Sequence, residues 1–131
     1  LAVREDSENP VYYVQYAHAR ICSLILNLGQ AAPKAADVDL TLLNTEVERD
    51  LIKCLAQFPE EIRLAARDYD PSRINRYLVA LAGDFHRFYN SNRIKDETQS
   101  VLEARLKLAD TVRAVIANGL NLLGVSAPNK M

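Results

Sequence analysis

Asn9-Pro10-Val11-Tyr12-Tyr13-Val14-Gln15-Tyr16-Ala17-His18-Ala19-Arg20-Ile21-Cys22-Ser23-Leu24-Ile25-Leu26-Asn27-Leu28-Gly29 reads as one uninterrupted helix with both ends marked. Asn9 can accept a hydrogen bond from a first-turn N–H, and Pro10 falls where a missing N–H costs nothing. Val11, Val14, Ile21, Ile25 and Leu28 recur at spacings of three, four and seven, which puts them on one buried face, and Gly29 supplies a left-handed stop. A helix this long with an apolar face needs other helices to cover it, so the fold class follows from what flanks it.

Downstream, Gln30 to Asp39 lacks periodicity and reads as a loop. Thr45-Glu46-Val47-Glu48 forms a capping box, opening a helix through Leu51, Leu55 and Phe58 that Pro59 ends. Pro59 to about Asp68 predicts a short helix, with Glu60 and Glu61 at its positive dipole end. Asp70-Pro71 repeats the first start signal, and Ile74, Leu78, Leu81, Phe85 and Phe88 continue from it as a core stripe ending in Asn90-Ser91-Asn92. Asp96 or Thr98 can cap a last long helix carrying Leu102, Leu106, Ala109, Val112, Ile116, Leu120 and Leu123, with Glu103 and Lys107 paired at i,i+4 on its outer side. Pro128 bars regular helix in the tail. The sequence contains neither sustained period-two alternation nor an internal repeat, so the expected architecture is all-α: a single helical bundle of about five helices, one domain over 1–131.

The 131 residues, 49% of them hydrophobic, suffice for a core without staples. Four Gly, five Pro and the absence of an apolar run near the ~20 residues of a membrane span exclude collagen-like, linker-like and transmembrane classes. Sixteen Lys plus Arg against seventeen Asp plus Glu leave a formal charge of −1, so any nucleic-acid site must be local. Cys22 and Cys54 stand far apart with only His18 and His86 to join them, so no metal site is expected and both read as reduced, buried thiols in a reducing, cytoplasmic compartment. The opening at Leu1 and the residues after it resemble neither signal nor transit peptide; the chain reads as a segment of something longer.

No GxSxG, P-loop, HExxH or dinucleotide fingerprint occurs, so no catalytic residue is expected in this fragment. Glu60 and Glu61 point ~100° apart and cannot share a proton. His18 reads as a hydrogen-bonded histidine at the core edge, His86 as a packing residue, and Asp110 with Arg113 as an intrahelical pair. Tyr13, Tyr16 and Arg20 share a second stripe of the first helix, rotated by about a quarter turn from its core face. Facing outward, two phenols and a guanidinium suit stacking on unpaired bases, with the Arg holding a phosphate or base edge; the alternative is that a neighbouring helix covers them. Tyr89 and Arg93 repeat the combination near the next long helix's end, with Arg87, Asn90 and Lys95 close by.

The run Asn9 to Arg20 resembles the opening of the anticodon-binding domain of arginyl-tRNA synthetases. Phe58-Pro59-Glu60-Glu61-Ile62, Pro71-Ser72-Arg73-Ile74, Asn118-Gly119-Leu120-Asn121-Leu122-Leu123-Gly124-Val125 and the terminal Ala127-Pro128-Asn129-Lys130-Met131 are similar to the same domain. Its namesake Asp-Ala-Leu-Arg motif reads here Asp110-Thr111-Val112-Arg113, keeping the Asp and Arg. The resemblance covers essentially the whole chain. It implies an all-α C-terminal domain of a class I synthetase that binds the anticodon loop of arginine tRNA, whose central cytosine is characteristic. It also implies an upstream catalytic domain in the same chain, using ATP (with Mg) to join arginine to the tRNA, and a monomer with no membrane partner. Carried over by position, the anticodon-binding residues are Tyr13, Tyr16, Arg20, Tyr89 and Met131, with Arg93 standing where some relatives have an aromatic. The rival expectation is a helical protein-interaction module with no RNA role, in which the Tyr13/Tyr16/Arg20 stripe is buried against protein.

Overall fold

The computed structural model describes residues 9–92, 94 and 97–131. Among them are five α-helices, α1 (Pro10–Leu28), α2 (Glu46–Ala56), α3 (Phe58–Arg67), α4 (Ser72–Ser91) and α5 (Gln99–Leu122), with two 3₁₀ turns in the α1–α2 connection and no strand. The expected all-α bundle is what forms. The helix α4 is central: α1, α2, α3 and α5 all pack on it, and α1 also packs on α5. Val14, Ile21, Leu51, Leu78, Phe85 and Ile116 meet in one connected core.

The predicted boundaries arise from the capping chemistry. Asn9 Oδ1 accepts from Val11 N at 3.0 Å and Tyr12 N at 3.4 Å, and Gly29 closes α1 at φ 71°. Both halves of the Thr45/Glu48 capping box are made. Gln57 joins α2 directly to α3, so Pro59 lies inside the first turn of α3 and follows the end of α2. Asp96 lies outside the described residues, and Thr98 occupies the cap position of α5 without a side-chain bond to it. Glu103 accepts from Gln99 Nε2 at 3.2 Å, one turn before it, which is not the Lys107 pairing expected.

Two links are built from left-handed residues. After α3, Tyr69 (φ 51°) takes the position glycine usually fills, with Asp70 N bonded back to Ala65 O at 2.9 Å. After α5, Gly124 (φ 73°) allows Val125 N to reach Leu120 O at 2.9 Å, a six-residue closure that ends the helix and turns the tail back on the bundle.

At the α4–α5 contact, a Cβ added to Gly119 would stand 2.6 Å from Cδ2 of Leu78, which is fully buried and has no space to yield. Gly119→Ala would gain about 1 kcal/mol of helix propensity. Overpacking costs about 1–3 kcal/mol. A net loss of about 1 kcal/mol is therefore expected in urea denaturation, and a stabilised variant would refute the close approach.

Candidate nucleic-acid interface

The stripe on α1 meets α4 along a seam of flat side chains. Tyr13 and His86 lie with ring centroids 5.6 Å apart. Arg20 Cζ sits 5.1 Å above the Tyr89 ring, and Tyr89 in turn lies nearly parallel to buried Phe85, 6.1 Å away. Arg20 Nη1 donates to His86 Nδ1 at 3.3 Å. Arginine has no acceptor, so this bond requires a neutral His86 carrying its proton on Nε2. A guanidinium held against a ring and an imidazole has lost most of its rotamer freedom, so little ordering cost remains for a planar ligand that stacks nearby.

The expectation that Tyr13, Tyr16 and Arg20 all face outward needs correction. Tyr13 and Arg20 are half-buried in the α1–α4 seam, and only Tyr16 stands clear, 45% exposed. Successive helical residues advance ~100°, so Tyr16 falls about 60° beyond Tyr13, away from the core face, and α4 covers the near edge of the stripe alone. Tyr89 comes to the seam from α4, half-buried. Arg93 and Lys95 lie outside the described residues. His86, read from sequence as packing, proves to be the node that touches both Tyr13 and Arg20. Its position one residue after core Phe85 was the only sequence signal for that.

Met131 is brought to α1 by way of the tail, along an edge that the helical wheel sets nearly opposite the Tyr13/Tyr16/Arg20 stripe. Gln15 Nε2 donates to Ser126 O at 2.9 Å, His18 Nδ1 to Pro128 O at 2.8 Å, and the Cys22 thiol lies 3.7 Å from Asn129 Oδ1. Residues 15, 18 and 22 form one edge of α1, so the tail lies along that helix. Two residues span at most about 7 Å, so Met131 stays close to α1, 50% exposed. His18 is thus the buried, hydrogen-bonded histidine expected, with a partner 110 positions away in sequence. Cys54 is buried as expected, while Cys22 is half-buried beneath the tail; both are free thiols. Asp110 and Arg113, the outer pair of the four-residue motif, form the expected ion pair at 2.8 Å.

Burial, and after it the Arg20 cation, hold the His86 pKa below its ordinary value. Neutral His86 therefore contributes stability that is complete above the unfolded value near 6.5 and is lost as pH falls through the lower folded value. The melting temperature is expected to drop as pH is lowered below the unfolded value near 6.5, and His86→Gln to flatten that drop. Identical pH slopes in the two proteins would contradict the assignment.

A family profile described as "DALR anticodon binding domain" matches residues 14–131, and with the helical fold and the motif pair in place, the chain belongs to that family of anticodon-binding domains. Across its whole length it is 50% identical to an arginine–tRNA ligase of Caldanaerobacter subterraneus subsp. tengcongensis, covering 24% of that protein. Its structure is similar to a candidate arginyl-tRNA synthetase of Campylobacter jejuni (TM-score 0.87, 34% identity, 98% of this chain and 28% of that one). The Thermus thermophilus arginyl-tRNA synthetase is also similar (TM-score 0.76, 32% identity, 91% of this chain and 21% of that one). The chain spans about a quarter of the length of the curated relatives it matches.

Proposed function

We propose that this chain is the part of an arginine–tRNA ligase that grips the anticodon loop of arginine tRNA, while adenylation with ATP and magnesium and transfer of arginine belong to a catalytic domain of the same parent chain. The observation that carries the reading is the meeting of Tyr13, Arg20, His86 and Tyr89 in one seam beside exposed Tyr16. Anticodon bases splay out of their stack, and recognition of such bases needs aromatic or guanidinium planes held at a surface. Tyr16 supplies an open plane. Arg20, pinned by Tyr89 and His86, offers N–H groups toward a base edge or phosphate, Tyr13 braces His86, and Met131 adds a polarisable apolar contact. By its position in the family resemblance, Arg93 would add a second guanidinium for stacking on a base. The functional unit is a monomer acting in the cytoplasm.

With a formal charge of −1 overall, affinity rests on stacking more than on phosphate attraction. Fluorescence anisotropy with the anticodon hairpin of an arginine tRNA should give at least about tenfold tighter binding than an unrelated hairpin, with a salt slope of only about −1 to −2. Loss of preference when the central cytosine is replaced is the expected specificity. Equal binding to both hairpins would end the RNA reading and favour a protein-interaction module.

A further inference from the structure

Loose chain ends carry no defined contact surface, yet the tail after α5 follows a directed path. The Gly124 turn sends it back, and three side chains of α1 meet it in order: Gln15 at Ser126, His18 at Pro128 and Cys22 at Asn129. Of these contacts only the one at His18 is made by a buried side chain to a backbone acceptor at short distance, 2.8 Å with the ring 2% exposed. The Pro128 carbonyl can only accept, so Nδ1 carries the proton. The Cys22 sulfur, 3.8 Å from the same nitrogen, adds a weak contact on the side facing Asn129. Three residues beyond this anchor stands Met131, half-exposed and apolar at the surface.

We propose that His18 is a positioning residue for RNA binding: its Nδ1–H fixes the Pro128 carbonyl and so holds the tail, and with it Met131, against α1. The inference rests on the anticodon-loop reading above and deepens it. Without the anchor, the last residues would sample many conformations, and the entropy of ordering them would be deducted from the binding of any base that Met131 touches. His18→Asn keeps a side-chain N–H near the Nδ1 position; His18→Leu removes it and leaves the Pro128 carbonyl without that donor.

Two readouts on the 131-residue chain test this. Without RNA, amide hydrogen exchange of Val125 to Met131 should accelerate about tenfold or more in His18→Leu and stay near wild type in His18→Asn. With the arginine anticodon hairpin, His18→Leu and Met131→Ala should each weaken binding about threefold to tenfold, and the double variant should lose no more than either alone, because both act through one contact. Should His18→Leu fail to fold, Gln15→Ala loosens the same tail from the half-exposed side of α1 and should raise tail exchange and weaken hairpin binding in the same direction. Additive losses, or a tail that stays protected in these variants, would overturn the anchor while leaving the anticodon reading intact. If wild type does not prefer the arginine hairpin, both proposals fall together.

Discussion

Arg105→Met is expected to be the most damaging single substitution in the bundle, costing about 3–5 kcal/mol, because it strands a buried carboxylate. Glu48 is fully buried at the start of α2. One of its oxygens accepts from Thr45 N at 3.1 Å and Thr45 Oγ1 at 2.8 Å; the other accepts from Arg105 Nε at 2.8 Å. Arg105, on α5, reaches on to Glu97 at 3.2 Å. A capping box normally exposes its acidic residue to water. Here the same carboxylate both caps α2 and meets the only cation that reaches it among the described ion pairs, so α2 and α5 are joined through one buried charge. Removing the arginine leaves the desolvation cost with nothing to offset it. Thermal unfolding should occur roughly 10 °C or more lower. The double variant Glu48→Gln/Arg105→Met should recover much of the loss, since a neutral amide keeps the cap and needs no counter-ion. A single variant within 1 kcal/mol of wild type, by the same about 3–5 kcal/mol yardstick, would show that the pair contributes little.

Tyr16→Ala is expected to have the largest effect on RNA affinity: about tenfold or more weaker binding of the arginine hairpin, from the ~1–3 kcal/mol that one base–aromatic stack contributes. Its exposed ring contributes little to the core, so the melting curve should shift by less than about 0.5 kcal/mol in stability. Tyr16→Phe, which keeps the plane and loses the hydroxyl, should bind like wild type. The contrast with Tyr13→Ala is diagnostic. Tyr13 packs on His86 and lies against α4 near Gly83, so its removal should lower both affinity and stability. A Tyr16→Ala protein with undiminished hairpin affinity would move the RNA surface elsewhere on the domain.

The helical elements were legible in the chain because their signals are local. Asn9-Pro10, Gly29, the Thr45/Glu48 box and Asp70-Pro71 each bias the few residues around them, and the stripes Ile74 to Phe88 and Leu102 to Leu120 report burial directly by their spacing. Grouping Tyr13, Tyr16 and Arg20 was equally local. Which of them stays open was not, since it depends on how far α4 laps over α1. The capping box could be read as a helix start, but nothing in residues 45–48 announces that a cation 57 positions later will neutralise Glu48.

Local order alone, then, specified helices, caps and faces, because those follow from backbone hydrogen bonding and 3.6-residue periodicity within a few turns of chain. Only the tertiary arrangement decided that His86 links Tyr13 to Arg20, that Arg20 lies over Tyr89, and that the tail docks on His18. Those contacts join residues 66 to 110 positions apart, and no local propensity encodes them. They exist because α1 packs on both α4 and α5, which brings side chains distant in sequence together along its two flanks, and because buried polar groups there need partners.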